Sequence, residues 1–423
     1  MSRGSVALLL AAGALLSACV AFWARAGDLS GRIGPHLLAY GVAFVAYLLA
    51  LHASPRLAGR GLVLALVLAG AWRLALVPAP PLLSDDVHRY VWEGRVQLAG
   101  GNPYAWNDRP DAARWAALRD AAWRRVAHKS YTAVYPPLWQ LAARAVAWVS
   151  PSVAAMKAFL VACELVLWGV LAALLRRRGL PPSRLLALAW SPLAIVEIAG
   201  SGHNDPFGML WLGLGLLALE AGRGGLSAAC VALGFEAKLL PAFVALAWVR
   251  SYRPRQLALA AGVALLVTAP FVSAGAGLWR TLDAYGAWRF NESALALLDL
   301  AGASRVGATR IAALLVAGLA LLLAARGVEA ARSGLAVVAA SLALAAHGLP
   351  WYALWLLPWL VLADAPAALL FTWTVGFAYL VYPAWQSGGG WHLGWGIRAL
   401  EYGPCLAVAA WTWARRRERA APA

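Results

Sequence analysis

Two adjacent carboxylates, Asp85 and Asp86, head the segment Ser84–Tyr104, SDDVHRYVWEGRVQLAGGNPY, a few residues past the hydrophobic run Gly61–Val77. Neighbouring acids at a membrane edge repel one another, so at least one must have a raised pKa or share a proton or a cation. A carboxyl group tuned in this way suits proton transfer or metal binding. The plain alternative is a pair that merely opens a solvated loop. The acids begin a polar stretch of about 58 residues, 78–135, with six of the chain's 19 acidic residues: Asp85, Asp86, Glu93, Asp108, Asp111 and Asp120.

Further polar motifs recur at the ends of apolar runs: Tyr135-Pro136-Pro137, His203-Asn204-Asp205, Arg289-Phe290-Asn291-Glu292, and His347 just before Pro350-Trp351-Tyr352. Each has a structural alternative. Tyr-Pro-Pro starts a helix, because proline suits the first turn. Asn204 or Asp205 caps the helix that follows Pro206. Arg289 is a loop charge, and a lone histidine such as His347 is usually structural. Lys238 reads as the one lysine inside an apolar run. A charge at such depth costs about 2.5–3.5 kcal/mol. It needs a partner, either Glu236 or an anionic ligand such as a lipid phosphate. Glu164 and Glu197 also lie inside apolar runs.

The elements that hold these motifs are membrane helices. The chain is 62% hydrophobic and 13% charged, with a mean hydropathy of +0.67. A soluble protein carries about twice that share of charge. A membrane span needs about 20 apolar residues, and many runs reach or approach that length. They are Ser5–Ala24, His36–His52, Leu62–Val77, Ala154–Leu175, Arg184–Ala199, Phe207–Leu219, Leu226–Val249, Gln256–Phe271, Val306–Ala325, Gly334–Ala346, Trp351–Leu362, Ala367–Val381 and Ala399–Ala414. They are rich in Ala and Leu and do not alternate, so they are helices. The expected fold is all-α: a polytopic bundle of about 12–14 membrane segments, some short or re-entrant. It forms a single unit over residues 1–423, with no separate soluble domain. Within the long loop, Asp111–Arg125 has helical composition and suits a helix lying flat on the membrane. Pro241 predicts a break near Lys238-Leu239-Leu240.

Net charge is +17, almost all from arginine. The arginines sit at helix ends and not on a basic module interleaved with aromatics, which argues against nucleic acid and for a topology signal that also attracts anionic membrane lipids. Basic clusters at Arg56/Arg60, Arg176–Arg178/Arg184, Arg250/Arg253/Arg255, Arg326/Arg332 and Arg415–Arg417 place both termini inside a plasma membrane and 78–135 outside. The outer face then also receives Ser201–Pro206, Ala274–Arg305, Ala346–Pro350 and Tyr382–Gly396. Most of the 23 tryptophans suit interfacial belts. The four cysteines (Cys19, Cys163, Cys230, Cys405) lie in apolar runs without CxxC spacing, so neither a disulfide framework nor a zinc site is expected. A divalent cation at the acid pair is compatible with its charge, but no ligand pattern calls for one. Leu16-Ser17-Ala18-Cys19 has the look of a lipoprotein cleavage box, yet the apolar run continues through Val20–Ala24, and an uncleaved first helix is expected.

The ordered motifs SDDVHRYVWEGRVQLAGGNPY, YPP, GHNDPFGMLWL, KLLP and RFNES, from Leu83 to about Trp359, resemble bacterial polytopic glycosyltransferases of the GT-C class. The nearest likeness is to polyprenol-phosphate-mannose-dependent mannosyltransferases. The resemblance implies a helix bundle whose first large outer loop carries a catalytic carboxylate and flat-lying helices. It implies an inverting transfer of mannose or another hexose from a polyprenyl-phosphate donor to a lipid or glycan acceptor. By this likeness Asp85 is the general base and Asp86 the close second. Arg89, Tyr135, His203, Asn204, Asp205, Lys238, Arg289, Asn291 and His347 are candidates for substrate binding. Residue chemistry fits this independently. A base must take the acceptor's proton while a phosphate leaves, and Lys238 or Arg289 can neutralise that phosphate. No nucleotide-binding fingerprint is present, which suits a lipid-linked donor. A transporter or flippase is the main rival, because Glu164, Glu197 and Lys238 fall inside apolar runs. Against it stand the absence of repeated halves and the position of the acid pair at the membrane edge. A non-catalytic assembly protein of envelope biosynthesis is the third reading.

Overall fold

The computed structural model describes residues 2–278 and 288–420. The expected outer segment Ala274–Arg305 therefore lies partly outside the described residues, at 279–287. The apolar runs fold as helices, and among the described residues no strand forms beyond one isolated bridge between Phe290 and His347. Among the described residues, seven helices are long and apolar enough to cross a membrane: α1 (Arg3–Ala26), α2 (Ile33–Ala53), α3 (Gly59–Leu76), and the later α7 (Val153–Arg177), α13 (Pro254–Ala274), α15 (Arg305–Ala325) and α18 (Pro366–Gln386). An eighth span is added if the pair α8 (Pro182–Ala189) and α9 (Pro192–Gly200), bent by 49°, counts as one. Cys19 is buried midway along a continuous α1.

Between α3 and α7 lie α4 (Asp86–Leu98), the single turn α5 (Ala121–Arg124) and α6 (Pro137–Val149). The α6 helix is the short segment expected after the Tyr-Pro-Pro motif, with Pro137 at its first position. The single flat helix expected over Asp111–Arg125 is instead two pieces, a 3₁₀ stretch Ala113–Leu118 and α5. The Asp120 carboxylate accepts the Trp123 N–H and starts a new helix there, which explains the interruption. A small apolar cluster of Trp92, Val96, Ala112, Trp115 and Val126 fastens this loop to α4.

Helix α10 (Asp205–Glu220) packs closely on α11 (Gly224–Ala237), which breaks before α12 (Pro241–Trp248). The break falls where proline predicts it, and Lys238 is extended (φ −157°, ψ 145°). Gly215 makes the α10–α11 contact close, since a Cβ there would stand 2.8 Å from Val231 Cγ2. After α13 come α14 (Leu295–Leu300), α15, α16 (Ala330–Ala343) and α17 (Pro350–Leu362); after α18 comes α19 (Trp395–Ala420).

Buried charges brace the bundle. Arg73 on α3 meets Glu164 on α7 through two bonds, Nη2 to Oε1 at 2.7 Å and Nε to Oε2 at 3.1 Å. Its Nη1 also donates to the Ala189 carbonyl at the α8–α9 break. Both side chains are fully buried, so this charge serves packing across three elements. At the far end of α10, Arg178 joins Glu220 and Glu329, gathering the ends of α7 and α10 and the start of α16. Helix α10 has 16 residues, which span about 24 Å. It therefore separates this arginine-rich end from Asp205 at its start.

Gly94 is the point where α4 and α6 touch. A Cβ there would lie 2.5 Å from the Ala143 carbonyl oxygen and 2.7 Å from the Ala147 Cβ. A backbone oxygen cannot swing aside. Gly94→Ala should therefore push the helices apart and cost about 1–3 kcal/mol, read as a lower thermal midpoint in detergent. An unchanged midpoint would show that α4 is not held against α6.

Candidate active site

Asp85 is the residue that leads α4, and its side chain makes no capping bond. It is exposed and hydrogen-bonds to no other side chain among the described residues. Its pKa is pushed up to about 6, first by the protein that displaces bulk water around it and then by the Asp86 charge. Asp86 is held differently. Its Oδ2 accepts the Tyr135 hydroxyl at 3.1 Å, and that hydroxyl also meets Tyr90 Oη at 3.2 Å. Tyr135 thus both opens α6 and touches the acid pair. Arg89, one turn along α4, spends its donors on protein: Glu93 Oε1 at 3.2 Å and the carbonyls of Tyr131, Ala127 and His128 at 3.3, 2.7 and 2.6 Å. It anchors the loop.

The His203-Asn204-Asp205 motif is fully buried. Neither Asn204 nor Asp205 caps α10 with its side chain, against the sequence expectation. A largely enclosed ammonium draws them away instead. Lys238 Nζ donates to Asn204 Oδ1 at 2.8 Å and Asp205 Oδ2 at 3.1 Å. Trp355 Nε1 donates to the other Asp205 oxygen at 2.6 Å. Glu236, the partner weighed from sequence, instead accepts from Thr268. Lys238 also lies 5.1 Å from the Tyr135 ring centroid and 5.7 Å from that of Tyr352. His203 stacks on Trp351 at 4.1 Å and meets Glu197 through Nδ1 at 3.1 Å. Glu197 sits in a π-helical turn, Ile195–Gly200, and accepts the Tyr379 hydroxyl at 2.8 Å. Such turns widen a helix and reposition its side chains.

Tyr135, Lys238, His347, Tyr352 and Trp355 line a cavity of about 430 Å³. Apart from Thr309 and Ser341, the rest of its wall is apolar: Leu239, Leu240 and Phe243 from the α11–α12 break and α12, Ala312, Ala313 and Val316 from α15, and Leu342, Leu344, Ala345 and Ala346 at and after the end of α16. Burial and the nearby Arg289 charge hold the His347 pKa down to about 4, so its ring is neutral near pH 7. Arg289 donates to Thr309 Oγ1 at 2.8 Å and to the Arg305 carbonyl, behind the wall formed by α15. Asn291, with φ +51°, donates to the Gly348 carbonyl at 3.0 Å and to Glu401 at 2.6 Å. Phe290 donates its N–H to the Ala346 carbonyl at 3.0 Å and accepts the Gly348 N–H at 2.7 Å, on either side of His347. The Arg289–Asn291 segment therefore fixes His347, which faces the cavity.

Sequence reasoning passed over three groups, Lys157, Tyr382 and Trp355. Lys157, fully buried in α7, donates to the carbonyls of Leu76 at 2.6 Å and Ala79 at 2.8 Å, so Lys238 is not the one lysine in an apolar run. Lys157 pins the end of α3 from which the acid-bearing loop departs. Tyr382 donates to the Leu83 carbonyl, two residues before Asp85. Trp355 could be tied to Asp205 only through the fold. Lys157 alone had a readable signal, a charge five residues inside a span. Among the described residues no group of three or more His, Cys, Asp or Glu is placed to hold a metal ion.

A family model described as alpha-(1->6)-mannopyranosyltransferase, N-terminal domain, matches residues 5–253, more than half of the chain. No curated protein and no solved structure matches it. The matched part contains the acid pair, Tyr135, the His203–Asp205 motif and Lys238; Arg289, Asn291 and His347 lie beyond it. With its all-α membrane bundle and this match, the chain belongs to the alpha-(1->6)-mannopyranosyltransferase family.

Proposed function

We propose that the protein transfers mannose from a polyprenyl-phosphate donor to a hydroxyl of a lipid or glycan acceptor, inverting the anomeric centre, with Asp85 as general base. One observation carries the reading: Lys238 lines the mostly apolar cavity, and its wall residue Tyr135 is hydrogen-bonded to Asp86. A polyprenyl chain suits the apolar part. Lys238 has three N–H donors, two of which meet Asn204 and Asp205. The third suits a phosphate oxygen.

The chemistry follows from these positions. Asp85 takes the proton of the acceptor hydroxyl as its oxygen forms a bond to the anomeric carbon. The bond from that carbon to the phosphate oxygen breaks on the opposite side, and the electron pair leaves with polyprenyl phosphate. Lys238 neutralises the charge that develops there. A base with a pKa of about 6 is ionised near neutrality and still accepts a proton well. Asp86 and Tyr135 orient the pair, and Asp86 keeps the Asp85 pKa raised.

Asp85→Asn keeps size and removes the base. It should cut kcat by at least about 100-fold without loss of folding in detergent. More than a tenth of wild-type turnover would pass the role to Asp86. In the wild type, kcat/KM should rise with pH through about 6, the value to which the Asp85 pKa is raised. Asp86→Asn removes the like charge, lowers the Asp85 pKa and should move that acid limb to lower pH. A limb that stays in place would separate it from the acid pair.

Lys238→Met should raise the donor KM by roughly 10- to 100-fold, the range of a lost hydrogen bond to a charged group, with acceptor KM little changed. If the variant destabilises the protein yet leaves donor affinity intact, Lys238 is structural and Arg289 becomes the phosphate's cation.

The arginine clusters support an outer-facing site with both termini inside. In a cysteine-free background, single cysteines at Ala105 and Gly389 should react with an impermeant thiol reagent in intact spheroplasts, and one at Arg416 should not. Labelling at Arg416 with protection at Ala105 would invert the arrangement.

A further inference from the structure

Three rings outside the cavity, His128, Tyr131 and Trp288, remain without a role, and they adjoin His347 in its wall. The Trp288 centroid lies 4.6 Å from that of His128, 5.2 Å from Tyr131 and 6.4 Å from His347. Tyr131 and His347 meet it edge-on, at 81° and 77°. The rings come from three separate stretches of chain. They are partly open to solvent, except His347, which is buried and also lines the cavity.

The construction of this wall is specific. Arg89 takes both the Ala127 and His128 carbonyls on one nitrogen, Nη2, and Tyr131's on the other. Turning two successive carbonyls onto one guanidinium accompanies a left-handed backbone at His128, φ 48°, a conformation most side chains avoid. The strap that carries two of the rings is thus bolted to α4 one turn from Asp85 and Asp86. The Asp86 charge reaches His128, where it opposes the lowering of the His128 pKa by burial and Arg89. At its other end the wall meets His347, which is fixed by the Phe290 and Gly348 backbone bonds. The ring wall therefore runs from the strap held by Arg89, one turn from the acid pair, to His347 on the cavity wall.

We propose that this ring wall, centred on Trp288, is the platform for a hexopyranose ring at the transfer point, stacking the sugar's C–H face while Arg89 sets its distance from the acids. The inference rests on the transferase reading above and adds the subsite that a sugar ring would occupy. Aromatic rings suit this role because they offer a flat apolar surface beside polar edges. The ring belongs either to the acceptor or to the donor mannose, and kinetics separates the two.

The test compares wild type, Trp288→Ala and Trp288→Phe as full-length protein in detergent, with synthetic polyprenyl-phosphate-mannose as donor and an octyl mannoside as acceptor. Trp288→Ala should raise one KM about tenfold with kcat changed by less than about twofold, and Phe should recover most of the loss. A raised acceptor KM assigns the platform to the acceptor ring, and a raised donor KM assigns it to the donor mannose. Both KM values unchanged, or a loss confined to kcat and thermal stability, would overturn the platform. Calorimetric titration of octyl mannoside, and of the donor, gives a readout free of turnover. If the wild type binds either sugar and does not transfer it, the transferase reading fails. The platform then stands or falls on whether Trp288→Ala weakens that binding about tenfold. If the wild type binds neither, both fail.

Discussion

The ammonium group of Lys238 is the constraint from which the site follows. A cation in an apolar bundle must be neutralised, because leaving it uncompensated costs several kcal/mol. Asp205 and Asn204 supply that compensation, which ties the first turn of α10 to the break between α11 and α12. The break itself is forced by Pro241 and leaves Lys238 extended. An interrupted helix then leaves room beside it, and α15, α16 and Tyr135 close that room into the cavity. Trp355, held by the other oxygen of Asp205, brings α17 into the same wall.

Three buried charges, Arg73, Glu164 and Lys157, do quieter work with the same physics. Arg73 and Glu164 satisfy each other across α3, α7 and the α8–α9 break. Lys157 has carbonyls for partners and caps the end of α3. Together they fix where the chain leaves the bundle before Ser84. The acid pair is then aimed by the Tyr382 contact to Leu83 and by the close approach of α4 to α6 at Gly94.

The helical class was legible because lipid solvation leaves an apolar run few choices. The start of α6 at Pro137 and the break at Lys238 were legible because proline acts locally. Asp85 and Asp86 could be singled out because adjacent like charges are unusual at a membrane edge. Pairings were another matter. Sequence offered Glu236 as the nearby partner of Lys238, while the fold brings Asp205, 33 residues away, into contact. Asn204 and Asp205 read as caps, since nothing local reveals that a distant ammonium outcompetes the α10 backbone. The same distance hid the spending of Arg89 on loop carbonyls and the meeting of His128 with Trp288. Periodicity and breakers are written in neighbours, whereas tertiary partners are chosen by three-dimensional proximity.

If Lys238 receives the donor phosphate as proposed, its contact with Asp205 bears on the end of the catalytic cycle. A phosphodiester donor bears a single negative charge, while the phosphate monoester left after transfer carries about 1.5 to 2 at neutral pH. Asp205 stands 3.1 Å from the ammonium that would receive it. Its carboxylate tolerates the monoanion and repels the extra charge of the product. An isolated lysine would grip the spent carrier more tightly than the fresh one. With Asp205 beside it, that preference is blunted, so under the proposed role the pair that makes the enclosed cation tolerable would also limit product inhibition.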